Sequence, residues 1–127
     1  MAEVRDELKY TESDEWVRIE GDIAVIGITD YAQEQLSDIV AVECKEVGDR
    51  VKKGESVATV EAVKAASDIY APLSGEIIET NENAVSSPEL LNQSPYNEGW
   101  ILKLRIENKN ELSSLMDAEG YKKKHES

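Results

Sequence analysis

The sequence predicts a mainly β domain, and three observations carry that expectation. Eleven valines and ten isoleucines supply much of the apolar material, whereas phenylalanine is absent. β-Branched side chains favour pleated sheet over helix. Apolar and polar residues alternate along several short runs, the pattern of strands with one buried face, and glycine-containing turns separate those runs. At 127 residues the chain suffices for a single domain with a real core, spanning 1–127, and no linker divides it.

Residues 15–19 and 22–28 read as two strands joined at Glu20-Gly21. Asp30, with Gln33 three residues on, has capping-box spacing and opens a short helix carrying Ala32 and Leu36 on one face. Residues 38–44 form a further strand, and 47–54 are turn chemistry around a brief extended piece. Residues 56–61 and 66–70 make a hairpin, 71–75 a loop, and 76–80 a strand. Ser87 is expected to cap a single helical turn that has Pro88 in its first positions. Trp100, Leu102, Leu104 and Ile106 alternate with Lys103 and Arg105, a half-buried strand.

Asn110 is placed to cap a C-terminal helix with Leu112, Leu115 and Met116 on one stripe and Gly120 at its stop. Residues 121–127 are expected to fray, leaving a core of about 9–118. Gly48-Asp49-Arg50-Val51 and Gly75-Glu76-Ile77-Ile78 echo one another across the 56–70 hairpin. Two such units suggest a flattened, pseudo-symmetric β barrel with a few short peripheral helices.

The formal net charge is −13, from 27 acidic against 14 basic residues. That field repels nucleic acid and anionic membrane surfaces and steers encounters toward basic protein patches, consistent with a monomer in solution. No apolar stretch approaches the roughly 20 residues of a membrane span. The first seven residues lack a signal-peptide core and are too acidic for a transit peptide. A single cysteine, Cys44, makes no internal disulfide and reads as a small buried hydrophobe, so a cytoplasmic location is expected. The only histidine, His125, falls in the expected tail, and no triad, typical zinc site or phosphate loop can be assembled. Catalysis by the chain itself is therefore not expected.

Lys64 is the feature that this β pattern does not explain. It lies between valines and alanines where two short strands meet. Burying an unpaired ammonium costs several kcal/mol or the proton. The cheapest arrangement presents Lys64 at an exposed hairpin tip, where small neighbours leave the amine open to covalent attachment of a group.

The stretch from Val60 through Lys64 to Asp68, continued by Tyr70-Ala71-Pro72-Leu73-Ser74-Gly75-Glu76, resembles the lipoyl-lysine motif of the glycine cleavage system H protein family. The likeness extends to Lys9-Tyr10, Glu15-Trp16-Val17, the segment 27–33, Ser94-Pro95-Tyr96 and Gly99-Trp100. The resemblance implies a barrel-sandwich hybrid fold and a non-catalytic carrier with lipoate amide-linked to Lys64. It implies that a pyridoxal phosphate-dependent glycine decarboxylase loads an aminomethyl group. An aminomethyltransferase then passes the one-carbon unit to tetrahydrofolate, and dihydrolipoyl dehydrogenase reoxidises the arm. It also implies that Glu61 and Gly75 serve recognition by the lipoate-attaching enzyme, and that Ser13, Glu15 and Asp68 belong to a cleft sheltering the arm. Asp14 stands where the family commonly has histidine, Ala62 where serine is usual, and Ser37 where glycine is common.

Other swinging-arm carriers fit less well. Val63 and Ala65 flank Lys64 where a biotin carrier has methionines, and no transferase domain follows as in the 2-oxoacid dehydrogenases. A relay donating lipoate to other proteins shares the same lysine, and an unmodified interaction module with this fold also remains open.

Overall fold

The apolar run at residues 23–28 has little alternation because its strand is buried on both faces. In the computed structural model, which describes residues 3–126, it is the third strand of an antiparallel sheet. That sheet takes β1 (Lys9–Tyr10), β2 (Glu15–Glu20), β3 (Ile23–Ile28), β9 (Leu102–Ile106), β8 (Gly75–Thr80) and β5 (Arg50–Val51) in this spatial order. A second sheet takes β4 (Ile39–Cys44), β6 (Ser56–Ala62) and β7 (Ala66–Tyr70). The two sheets share one core, in which Val17, Ile26 and Leu104 of the larger meet Val42, Val60 and Ile69 of the smaller. Val25 points the other way, into a second cluster with Tyr10, Trp16, Tyr96 and Tyr121.

The mainly β, barrel-sandwich architecture is thus present, with the sheets facing one another rather than closing into one hydrogen-bonded barrel. The two echoing segments lie side by side: β5 and β8 pair antiparallel, Arg50 opposite Glu76 and Val51 opposite Gly75. Cys44 is partly buried against the core, and burial pushes its thiol up to about 11.

Several boundaries differ from expectation. The β2–β3 turn is Gly21-Asp22, one residue later, because glycine supplies the positive φ (64°) at the first central position. Helix α1 (Asp30–Leu36) is capped by Thr29, not Asp30. Thr29 is the residue with extended backbone, and its hydroxyl accepts the Ala32 N–H at 3.1 Å. Helix α2 (Glu82–Ser86), capped by Asn81, was not foreseen. Ser87 ends α2 instead of opening the next helix, and α3 (Leu90–Gln93) starts beyond Pro88. Trp100 lies before β9 rather than within it.

The single C-terminal helix is in fact two pieces. A 3₁₀ turn (Lys109–Ser114) capped by Asn108 is followed by a β-bridge between Met116 and Tyr10, then by α4 (Ala118–Glu126), which contains Gly120. The expected frayed tail is helical over its described part, and Ser127 lies outside the described residues. Tyr121 accounts for the difference: its ring is buried and stacks on Tyr10 at 4.6 Å, an anchor no free tail has.

Gly27 pairs with Trp16 across the β2–β3 ladder, and a Cβ there would sit 2.6 Å from the indole. The indole has nowhere to slide, since its Nε1–H donates to the Pro95 carbonyl at 2.8 Å. Gly27→Ala should therefore lower unfolding stability by about 2 kcal/mol, the usual cost of forcing extra volume into a filled site. Urea denaturation measures this, and an unchanged midpoint would mean that the indole is free to move.

Candidate functional site

The β6–β7 hairpin places Lys64 where the residue pattern demanded. Val63, Lys64 and Ala65 form the tip, closed by the Ala62 N–H donating to the Ala65 carbonyl at 2.7 Å. Lys64 is exposed, and among the described residues its ammonium enters no ion pair. The tip does not hang free. The Val63 N–H donates to the Asp38 carbonyl at 3.1 Å, tying it to the start of β4.

That start is itself pinned by Asn92 of α3. Its Oδ1 accepts the Ile39 N–H at 3.0 Å, and its Nδ2 donates to the Ser37 carbonyl at 2.6 Å and to Gln33 at 3.0 Å. Ser37 needs this support, being a non-glycine residue at φ 63°. Asn92 escaped the sequence reading because its partners lie more than fifty positions away.

Glu61 is exposed on β6, opposite Ala66 of β7 and Ala41 of β4, with its carboxylate in water. Gly75 is buried at the head of β8, and a Cβ there would lie 2.2 Å from the Arg105 carbonyl oxygen. The close approach of β8 to β9 therefore requires glycine, whatever else Gly75 does. Asp68 is exposed on β7 and accepts the Thr59 hydroxyl across the ladder at 3.1 Å.

Ser13 and Glu15 do come together, at a cleft of about 370 Å³ with Lys53, Tyr70, Pro72 and Met116 among its walls. Asp68 is not in that wall. It stands two residues nearer Lys64 than Tyr70, on the same exposed face of β7. Side chains at that spacing share a face, so Asp68 lies on the path from the tip to the cleft.

Glu15 is the unusual group, a carboxylate only 1% exposed. Oε1 accepts the Thr11 hydroxyl and, at 2.7 Å, the Ser13 hydroxyl, while Oε2 accepts the Tyr70 N–H at 3.2 Å. Burial pushes its pKa above the usual carboxylate range, and these three donors partly oppose the shift. An acceptor-rich group of this kind, at the edge of a cleft, suits a cation. Among the described residues no cluster of three metal-ligating side chains occurs, and no helix is long and apolar enough to cross a membrane.

A model of the glycine cleavage H-protein family matches residues 8–127. A probable glycine cleavage system H protein of Aeropyrum pernix is 57% identical over 118 residues, covering 93% of this chain and 82% of that protein. The glycine cleavage system H protein of Photorhabdus laumondii is 56% identical over 122 residues, 95% of this chain and 94% of that one. Among solved structures, a glycine cleavage system H protein from Mycobacterium marinum superposes with a TM-score of 0.85 at 35% identity, covering 95% and 98% of the two chains. With the family model covering nearly the whole chain and the fold shared with a solved member, the chain belongs to the glycine cleavage H-protein family, a family of lipoyl carriers rather than enzymes.

Proposed function

We propose that Lys64 Nζ carries an amide-linked lipoyl group and that this chain, a monomeric cytoplasmic domain, shuttles the aminomethyl group of glycine. The observation that carries the reading is an unpaired, exposed amine on a braced hairpin tip in a chain of this family. The amine fits the group: it is open to a lipoate-attaching enzyme, and its neighbours Val63, Ala65 and Ala66 are too small to hinder approach. Bound there, the lipoyl group supplies a reversible disulfide on a long arm, able to serve glycine decarboxylase, aminomethyltransferase and dihydrolipoyl dehydrogenase in turn.

The protein's own residues do the positioning. Asp38 and Asn92 hold the anchor still, so only the arm searches, at an effective concentration set by its length. Glu61, exposed three residues before Lys64, and the close β8–β9 approach at Gly75 shape the surface that the attaching enzyme meets. Ser13 and Glu15 present oxygens to a cationic arm end, with Asp68 on the way, and the apolar Pro72 and Met116 keep water from it.

Intact mass tests the attachment. The wild-type chain made in lipoate-replete cells with a lipoate-attaching enzyme should gain a lipoyl-sized increment, and Lys64→Arg should gain none, since a guanidinium keeps the charge without forming the amide. An unmodified wild-type chain would overturn the reading in favour of a bare interaction module.

Glu15 gives a second prediction. A carboxyl whose folded pKa is raised favours folding below its unfolded pKa, and that contribution is lost as pH rises through the folded value. Glu15→Gln removes the ionised penalty and keeps an amide that can bond both hydroxyls and the Tyr70 N–H. Relative to wild type, its melting temperature should rise progressively as pH goes from about 4 to about 7. A constant difference across that range would mean that Glu15 is not buried as an acid.

A further inference from the structure

The loop that carries Ser13 is held from outside the cleft chiefly through Asp14. Its backbone has φ 69°, a left-handed conformation that aspartate tolerates better than most residues. The loop closes on itself through the Asp14 N–H to the Thr11 carbonyl (3.3 Å) and the Thr11 N–H to the Glu15 carbonyl (3.0 Å). The turn sends Ser13 and Glu15 toward the cleft and Asp14 away from it, toward α4.

There Asp14 meets three groups. Its Oδ1 accepts the Tyr121 hydroxyl at 2.9 Å, lies 3.0 Å from His125 Nε2, and is 3.7 Å from Lys124 Nζ. Lys124 also donates to the carbonyl of Glu12 in the same loop. Behind these contacts the helix is firmly seated. The Tyr121 hydroxyl is 2.7 Å from that of Thr29, the α1 cap, and the His125 ring lies 3.8 Å from the Tyr31 ring of α1. The Thr29 N–H donates to the Asp14 carbonyl at 3.0 Å. Successive turns of α4 therefore converge on one carboxylate, and that carboxylate is flanked by the two cleft residues.

We propose that α4 is a latch for the cleft rim: Tyr121, Lys124 and His125 grip Asp14 and thereby set the position from which Ser13 and Glu15 receive the arm. This rests on the cleft reading above and adds positioning residues that touch no part of the arm. The latch fixes a loop and does not hold the domain together, because the shared core lies on the far side of β2 and β3.

The test uses the full chain with two substitutions at one position. Asp14→Gly removes the carboxylate's contacts with Tyr121, Lys124 and His125 while leaving the positive φ unstrained. Asp14→Asn keeps the Oδ1 acceptor for Tyr121 and His125. In the unmodified chain, amide hydrogen exchange at Thr11, Asp14 (or its replacement) and Glu15 should speed up at least about fivefold in Asp14→Gly, and most of that change should be absent in Asp14→Asn. Amides of Val60 and Ile69, in the smaller sheet, should be unaffected in both. In lipoylated, aminomethyl-loaded chain, Asp14→Gly and His125→Ala should shorten the survival of the load by about the same factor, as should Glu15→Gln. If loop exchange and load survival are unchanged in Asp14→Gly while Glu15→Gln shortens survival, the latch is wrong and the cleft stands. If Glu15→Gln leaves survival unchanged, both fall. A uniform rise in exchange that includes Val60 and Ile69 also overturns the latch, since it would mark Asp14 as a general stability residue.

Discussion

The Glu15 carboxylate stands on the first residue of β2, in the larger sheet, and accepts the N–H of Tyr70, the last residue of β7, in the smaller one. The same carboxylate takes two hydroxyls from the loop just before it. One buried group thus joins both sheets, the rim of the cleft and the far end of the strand that descends from Lys64. A buried carboxylate with its acceptors partly satisfied is costly unless its surroundings hold still. Two pieces of local structure meet that need, the turn at residues 11–15 and the position of Tyr70. Burial of this carboxyl carries a price in stability, and its raised pKa is the physical signature of that burial.

Stillness at one point and freedom at another are complementary in a carrier. The tip at Lys64 is fixed through Val63 to Asp38 and through Ile39 to Asn92, so that the backbone contributes little search of its own. A floppy tip would spread the arm over more positions and lower its effective concentration at each docking partner. The side chains around the amine follow the opposite rule, with Val63 68% exposed and Val40 54% exposed on the neighbouring strand. On the proposed function, apolar groups left in water on the lysine's hairpin and the strand beside it would give a docking enzyme something to bury that does not depend on the arm's cargo.

Local chemistry was legible in the sequence, and long-range chemistry was not. Lys64 stands out because an ammonium between valines and alanines conflicts with its neighbours, a contradiction visible within nine residues. Strands such as β9 are legible because alternation reports a one-sided environment, and β3 because a glycine turn joins its apolar run to β2. Thr29 and Asp30 are both competent caps, and only the backbone conformation of Thr29 decides between them. Asn92 carries no local mark at all, since its role is to satisfy groups on another helix and strand. Residues 121–127 read as a tail because their charged stretch hides a single tyrosine, Tyr121, whose partners Tyr10 and Asp14 lie more than a hundred positions earlier. Gly75 ends the loop expected at 71–75, but what demands glycine there is the carbonyl of Arg105 on a neighbouring strand, a constraint with no local mark.

Charge acts on this molecule at two ranges, and the two must be kept apart. A net charge of −13 governs approach, favouring basic faces on partner enzymes, and its reach beyond the surface is about 8 Å at physiological ionic strength. It cannot hold a particular cation in a particular place, because exposed carboxylates such as Glu61 and Asp68 are screened by water and salt. Retention needs a carboxylate withdrawn from solvent, with its geometry fixed before the cation arrives, and Glu15 is the one buried acid at the cleft. In the proposed function the acidic surface thus gathers partners, while a single interior oxygen pair, on the loop that α4 contacts, gives the arm its resting place.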